Sequence, residues 1–284
     1  MAESLSHKFG QIIGELLELA IQPHLEKFAR KNKLFLDKKG ERKARTGKKV
    51  SWTDGKNNKH DLDFVLERNG TANKTGVPVA FIECAWRRYT KHSRNKAQEI
   101  QGAIIPLTEK YKSASPFVGV VLAGEFTGGS LTQLKSLGFG VLYFPYDTVV
   151  KAFHKFGINA ASDESTEEKE FRKKIDSWNK LPNKADVAKE LLKLNKKNAD
   201  AFFLSLTESA SRFIEQVIVL PLHGQEAISN SVTEAIDFLK KYSEDKPKLP
   251  IAKYEIIIRY NTGEKIEASF NDNKATIKFL ETYL

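Results

Sequence analysis

The sequence predicts an α/β protein: a mixed central sheet flanked by helices, then a helical C-terminal half that ends in a ββα unit. Three observations carry this. The chain opens on Phe9, Ile12, Ile13, Leu16, Leu17, Ala20 and Leu25, which recur at the spacing of an amphipathic helix. Apolar runs bounded by turn residues follow at 62–67, 77–85, 117–126 and 139–144, with helical patterns between the later ones. Beyond residue 167 the periodicity is helical until 254–260 and 265–270, two strand-like runs around the turn Asn261-Thr262-Gly263.

The first helix spans about Ser6 to Ala29, with Ser4 or Ser6 as its cap and a kink or break expected at Pro23. Glu15 and Glu18 sit on it. Lys27 to Lys59 is the most basic stretch and largely lacks periodicity, although Leu34-Phe35-Leu36 and Val50-Ser51-Trp52 read as strand pieces. Lys43, Arg45, Lys48 and Lys49 in this stretch are candidate phosphate contacts; a solvated surface loop is the alternative.

Leu62 to Glu67 carries Asp63 at its head and closes at Asn69-Gly70. Val77 to Ala85 is apolar on both faces, as in a central strand, with Glu83 between Ile82 and Cys84. A charge inside such a run is costly unless paired. Two carboxylates on adjacent strands can meet at one point and bind a hard divalent cation, while the alternative is a buried pair satisfied by Arg87 or Lys96. The next stretch holds Arg87, Arg88, Lys91, Arg94 and Lys96 without an acid. A helix from about Ser93 buries Ala97, Ile100 and Ile104, with Lys96 and Glu99 on one flank.

Phe117 to Phe126 and Phe139 to Phe144 are further buried strands, separated by a helix over 130–137 and followed by one over 148–156. Asn159 to Glu168 reads as a linker, dividing the chain into residues 1–160 and 161–284. Helices are expected over 167–180, 184–196, 201–215 and 224–242, with a short extended piece at 217–222 between the last two, then a stiff connector at 246–250. The closing helix runs from Asn273 to Tyr283, and no internal repeat appears.

Composition bounds the function. The chain has 284 residues, 40% hydrophobic and 29% charged, as in a soluble globular protein. No apolar run is long enough to span a bilayer, and the first residues do not form a signal peptide. One Cys and six His argue against a disulfide framework or structural zinc and fit a reducing cytoplasm. A formal charge of +10 suggests an anionic partner such as nucleic acid.

The passage from Asp63 to Gly70 and from Gly76 to Glu83 resembles the core motif of the PD-(D/E)xK nuclease superfamily, which includes most type II restriction endonucleases. The order helix, three strands, helix, strand, helix, strand matches that family's core. Leu62 stands where the motif has Pro, and Ala85 where it has Lys. In several members the lysine has migrated to the following helix, which offers Lys96 first and Lys91 second. The resemblance implies a restriction-endonuclease-like core that holds Mg2+, or Mn2+ as a substitute, on Asp63 and Glu83. It implies hydrolysis of double-stranded DNA by a homodimer in defence against foreign DNA. Glu15, Asp61 and Glu99 are accessory candidates, and Arg87, Arg88 and Arg94 join the DNA contacts. Two alternatives stay open: a DNA-binding protein whose catalysis has decayed, and a structure- or modification-selective nuclease with the C-terminal half as reader.

Overall fold

Ser4 caps the opening helix by accepting the His7 amide at 3.2 Å, and α1 (Leu5–Lys31) runs unbroken through Pro23. Buried Ala20, Ile21 and Leu25 on either side of the proline hold the helix together, so packing outweighs the hydrogen bond the proline lacks. The computed structural model describes residues 4–90, 93–242 and 252–284; Lys91 and the connector at 246–250 lie outside the described residues.

After α1 come β1 (Leu34–Lys38), β2 (Val50–Thr53), β3 (Lys59–Leu62), β4 (Phe64–Arg68) and β5 (Val77–Arg87). Next are α2 (Ser93–Lys110), β6 (Phe117–Gly124), α3 (Gly128–Ser136), β7 (Gly140–Pro145) and α4 (Tyr146–His154). Five strands form a mixed sheet in the order β1-β4-β5-β6-β7. The β1–β4 and β4–β5 pairings are antiparallel, while β5–β6 and β6–β7 are parallel. β2 and β3 pair only with each other, as a hairpin.

One sheet face buries Phe64, Ile82 and Val121 under the apolar stripe of α1. The other buries Val65, Phe81, Ala85 and Leu122 under Ala97, Ile100 and Ile104 of α2, with Trp52 of the hairpin wedged edge-on against Phe81. These full rows of apolar residues on both faces are why β5 and β6 read as continuous apolar runs.

The chain forms two compact units, Met1–Ala210 and Ser211–Leu284, so the division expected after residue 160 falls after Ala210. Helices α5 (Glu168–Lys180), α6 (Lys184–Leu194) and α7 (Lys196–Ala210) belong to the first unit. Their residues Phe171, Ile175, Trp178, Leu191 and Phe202 are buried in the cluster that α1 covers. The polar stretch read as a linker is stitched down as well. Lys174 Nζ donates to the carbonyls of Asn159 and Ala161 at 2.8 and 2.7 Å, and Tyr146 Oη accepts the Ser162 amide at 2.7 Å. Polar composition marked solvent-facing side chains there; the backbone hydrogen bonds that fix it leave no trace in composition.

The second unit holds β8 (Ile214–Pro221), β9 (Ala227–Ser229), α8 (Val232–Lys241), β10 (Tyr254–Tyr260), β11 (Lys265–Phe270) and α9 (Asn273–Glu281). The helices expected over 201–215 and 224–242 are thus shortened by two strands. The extended piece expected at 217–222 is β8, which begins three residues earlier and buries alternate residues. The sheet is antiparallel in the order β11-β10-β8-β9. This is a ββα unit built twice, with Ile218 of β8 paired to Ile257 of β10 at its centre. The helices match in detail: Ser231 and Asp272 cap them, and Ile236, Phe238, Leu239 and Tyr242 recur as Ile277, Phe279, Leu280 and Tyr283. The repeat escapes a sequence reading because its two hairpins differ in length and loop.

Candidate active site

The chain changes sheets at one residue. Leu62 pairs with Val50 in the hairpin, Phe64 pairs with Lys38 and Ile82 in the main sheet, and Asp63 lies at the break between them. Its Oδ2 accepts the backbone amide of Cys84 at 2.6 Å, which locks the carboxylate across the end of the β4–β5 pairing. One step beyond the Phe64–Ile82 pair, Glu83 shares the alternation of Phe81 and Ala85 and so belongs to the face that α2 covers. From that helix Lys96 Nζ reaches Glu83 Oε1 at 3.5 Å and Glu99 Oε2 at 3.6 Å. The strand position two beyond Glu83 is Ala85, buried among apolar side chains. A lysine there would have its ammonium in the core, whereas one on the first turn of α2 arrives at the strand end from outside.

The carboxylates are poorly hydrated and repel one another. Burial, then the charge of Asp63, pushes Glu83 up to about 8, with Lys96 only partly offsetting this. Asp63 is raised mainly by burial, against the Cys84 hydrogen bond and the charges of Lys96 and Lys39. Glu18 of α1 is pushed up to about 7 by burial and by Asp63. Burial and the same three carboxylates hold the Cys84 thiol well above its ordinary range, so it is a packing residue rather than a nucleophile. Three acids thus share one partly dry corner with Lys96 and, farther out, Lys39. The donor set is all oxygen and carries excess negative charge, which suits a hard divalent cation.

Among the described residues, no group of three or more His, Cys, Asp or Glu converges as a ready-made metal cage. Mg2+ needs no such cage, since it keeps several waters and binds through one or two carboxylates plus substrate phosphates.

The structure brings together Asp63, Glu83, Lys96 and Glu99. It separates Asp61, which faces Lys49 at 2.7 Å and Ser51 at 2.5 Å on the hairpin. Register explains this: the sheet change at residue 63 breaks the alternation that would have put both aspartates on one side. Glu15 is exposed, and Glu18, one turn on, is the α1 glutamate that feels Asp63 and Glu83. Its signal in the sequence is the line Gly10, Gly14, Glu18 at four-residue spacing. Lys39 was legible only as one more charge in a basic stretch.

The basic candidates divide. Lys43, Lys48 and Arg94 are exposed. Lys49 is exposed but ion-paired with Asp61. Arg87 pairs with Glu99 at 3.6 Å, and Arg88 stacks on Tyr146 at 3.9 Å and donates to the Ser162 carbonyl. Arg45 is no surface contact: it grips Asp37 through Nε and Nη2 and donates to the Gly47 and Lys38 carbonyls. Arg42 beside it is buried in a two-pronged pair with Glu67, at 2.5 and 3.0 Å, and reaches Asp37 at 2.8 Å. Much of the basic loop is therefore anchored by internal ion pairs, which charge counting cannot distinguish from a binding surface.

No family model matches the chain, and no curated protein matches it in sequence. Among solved structures, the crystal structure of AF1548, a protein of unknown function, is similar at 10% identity, covering 64% of this chain and 99% of that one, with a TM-score of 0.28. A likeness that weak carries no argument about fold or activity. Among the described residues, no helix is long and apolar enough to cross a membrane.

Proposed function

We propose that the chain is a Mg2+-dependent DNA endonuclease that hydrolyses phosphodiester bonds at Asp63, Glu83 and Lys96, on a core of the PD-(D/E)xK kind. One observation carries the reading. A lysine from the helix after β5 reaches Glu83 at 3.5 Å, just where Ala85 leaves the strand without one. Asp63 and Glu83 would hold Mg2+ or Mn2+. The bound ion would lower the pKa of a water and offset charge on the phosphate.

The chain's own groups do the rest. The ammonium of Lys96, positioned by Glu83 and Glu99, donates to a phosphate oxygen as charge builds on it. Glu18, pushed up to about 7 by burial and by Asp63, is a third acid at this corner. Exposed Lys39, Lys43, Lys48 and Arg94 supply cations for the flanking backbone. A homodimer in the cytoplasm, cutting foreign duplex DNA, is the setting that the resemblance suggests.

The test is cleavage of unmodified plasmid DNA with Mg2+ by the wild type and by Lys96→Ala and Asp61→Asn. Lys96→Ala is expected to cut roughly 10²–10³-fold more slowly, the range for losing one aimed donor. Asp61→Asn, altering an exposed pair on the hairpin, should stay within about twofold. Tight, salt-sensitive DNA binding without any cutting would replace the proposal with a decayed DNA-binding protein. Equal loss in both variants would refute the site assignment.

A further inference from the structure

Beside the carboxylates the first unit contains a cleft of about 680 Å³, within the range of small-ligand sites. Cys84 and Lys96 are among its lining residues, so it borders the candidate active site. Its floor is α1 at Gly10 and Gly14, and a Cβ at Gly14 would meet nothing within 4 Å. One side is Trp86, whose Nε1 lies 3.7 Å from the Cβ position of Gly10. The far wall is the segment from Ser162 to Thr166, held in place by Arg88 and Tyr146 on Ser162. Its lining carries Lys96 and Arg87 beside the carboxylates, and Asp163 and Glu164 on the 162–166 segment, where Arg88 also sits on the Ser162 carbonyl.

We propose that this cleft binds a single unpaired nucleotide of the strand presented to Asp63 and Glu83, with its base against Trp86. A volume of about 680 Å³ suits one nucleotide and is far too small for a paired duplex. The lining fits a nucleotide entering base first. The phosphate stays beside Lys96 and Arg87, the cations nearest the carboxylates. An aromatic face takes any base by stacking. The substrate class is then DNA with an unpaired or flipped nucleotide at the cutting point, which rests on the nuclease reading only for what happens after binding.

Binding is measured on the full chain in EDTA, by tryptophan emission titrated with thymidine monophosphate, octathymidylate and a blunt hairpin duplex. Trp52 and Trp178 are buried, at 4% and 3% exposure, so a quench reports Trp86. Saturable quenching by the monophosphate and the octamer, lost in Trp86→Phe, is expected, with the blunt duplex weaker by about tenfold or more. Gly14→Leu fills the cleft from a helical position and should weaken octamer binding about tenfold without lowering the thermal midpoint. No quench at millimolar nucleotide, a quench indifferent to Gly14→Leu, or equal affinity for the blunt duplex overturns the proposal. Nucleotide binding in a protein that never cuts DNA overturns the nuclease reading and leaves the cleft standing. Cutting without nucleotide binding does the reverse.

Discussion

Glu83→Gln should make the protein more stable and inactive at once. Glu83 titrates at about 8 in the folded chain, well above an unfolded glutamate, because burial and Asp63 oppose its charge. The folded state therefore holds a proton that the unfolded state has already released. Stability of the metal-free wild type falls as pH rises from the ordinary glutamate range to about 8. The neutral amide removes that penalty. At pH 8 without divalent ions the variant should gain on the order of 2 kcal/mol, a rise of roughly 4–8 °C in thermal midpoint. Added Mg2+ should stabilise the wild type and leave the variant nearly unchanged. Thermal unfolding at pH 5 and pH 8, with and without Mg2+, checks this. A variant less stable than the wild type at pH 8 would mean that Glu83 is a satisfied structural ion-pair partner of Lys96.

Glu67→Ala should be among the most damaging changes in the first unit, although it lies outside the active site. Glu67 is fully buried and takes both prongs of Arg42, and its Oε2 also accepts the Gly76 amide at 2.6 Å. Truncation leaves the Arg42 guanidinium buried with Asp37, the Thr71 and Lys74 carbonyls and the face of Phe35. Breaking such a pair from one side costs about 3–5 kcal/mol, or a drop of roughly 6–20 °C for a body of this size. Thermal unfolding of the variant measures it. A loss under about 1 kcal/mol would show that the quartet of Asp37, Arg42, Arg45 and Glu67 is not what anchors the basic loop.

The two predictions concern two kinds of buried carboxylate, and the sequence separated them unevenly. Glu83 stood out because a charge interrupts an otherwise apolar central strand. Glu67 sits at the end of a run near a turn, where a glutamate is unremarkable, and its partner Arg42 lies in a loop without periodicity. Long-range ion pairs of this sort leave no local pattern. The main sheet was legible from its apolar runs and turn residues, and α1 from its stripe. In the second unit the extended piece at 217–222, the strands at 254–260 and 265–270 and the closing helix are all present; β9, only three residues long, and the late start of α8 are what the periodicity does not show. In the site, strand spacing predicts Asp63 beside Glu83, and helix position predicts Lys96. Asp61 lies apart from Asp63 because alternation fails where the chain leaves one sheet for another. Glu18 was passed over for Glu15 because the turn of α1 that faces the strand end depends on how the helix is docked.

The most direct measurement is the rate of duplex DNA cleavage at saturating Mg2+ by the wild type and by Glu83→Gln, on protein shown to be folded by its thermal midpoint. The account predicts cutting by the wild type that chelation abolishes and a loss of about 10³-fold in the variant, equivalent to about 4 kcal/mol of transition-state stabilisation. Because the variant is expected to be the more stable protein, unfolding cannot produce that loss. Cleavage at the wild-type rate by Glu83→Gln would contradict the account and place any nuclease chemistry elsewhere in the chain.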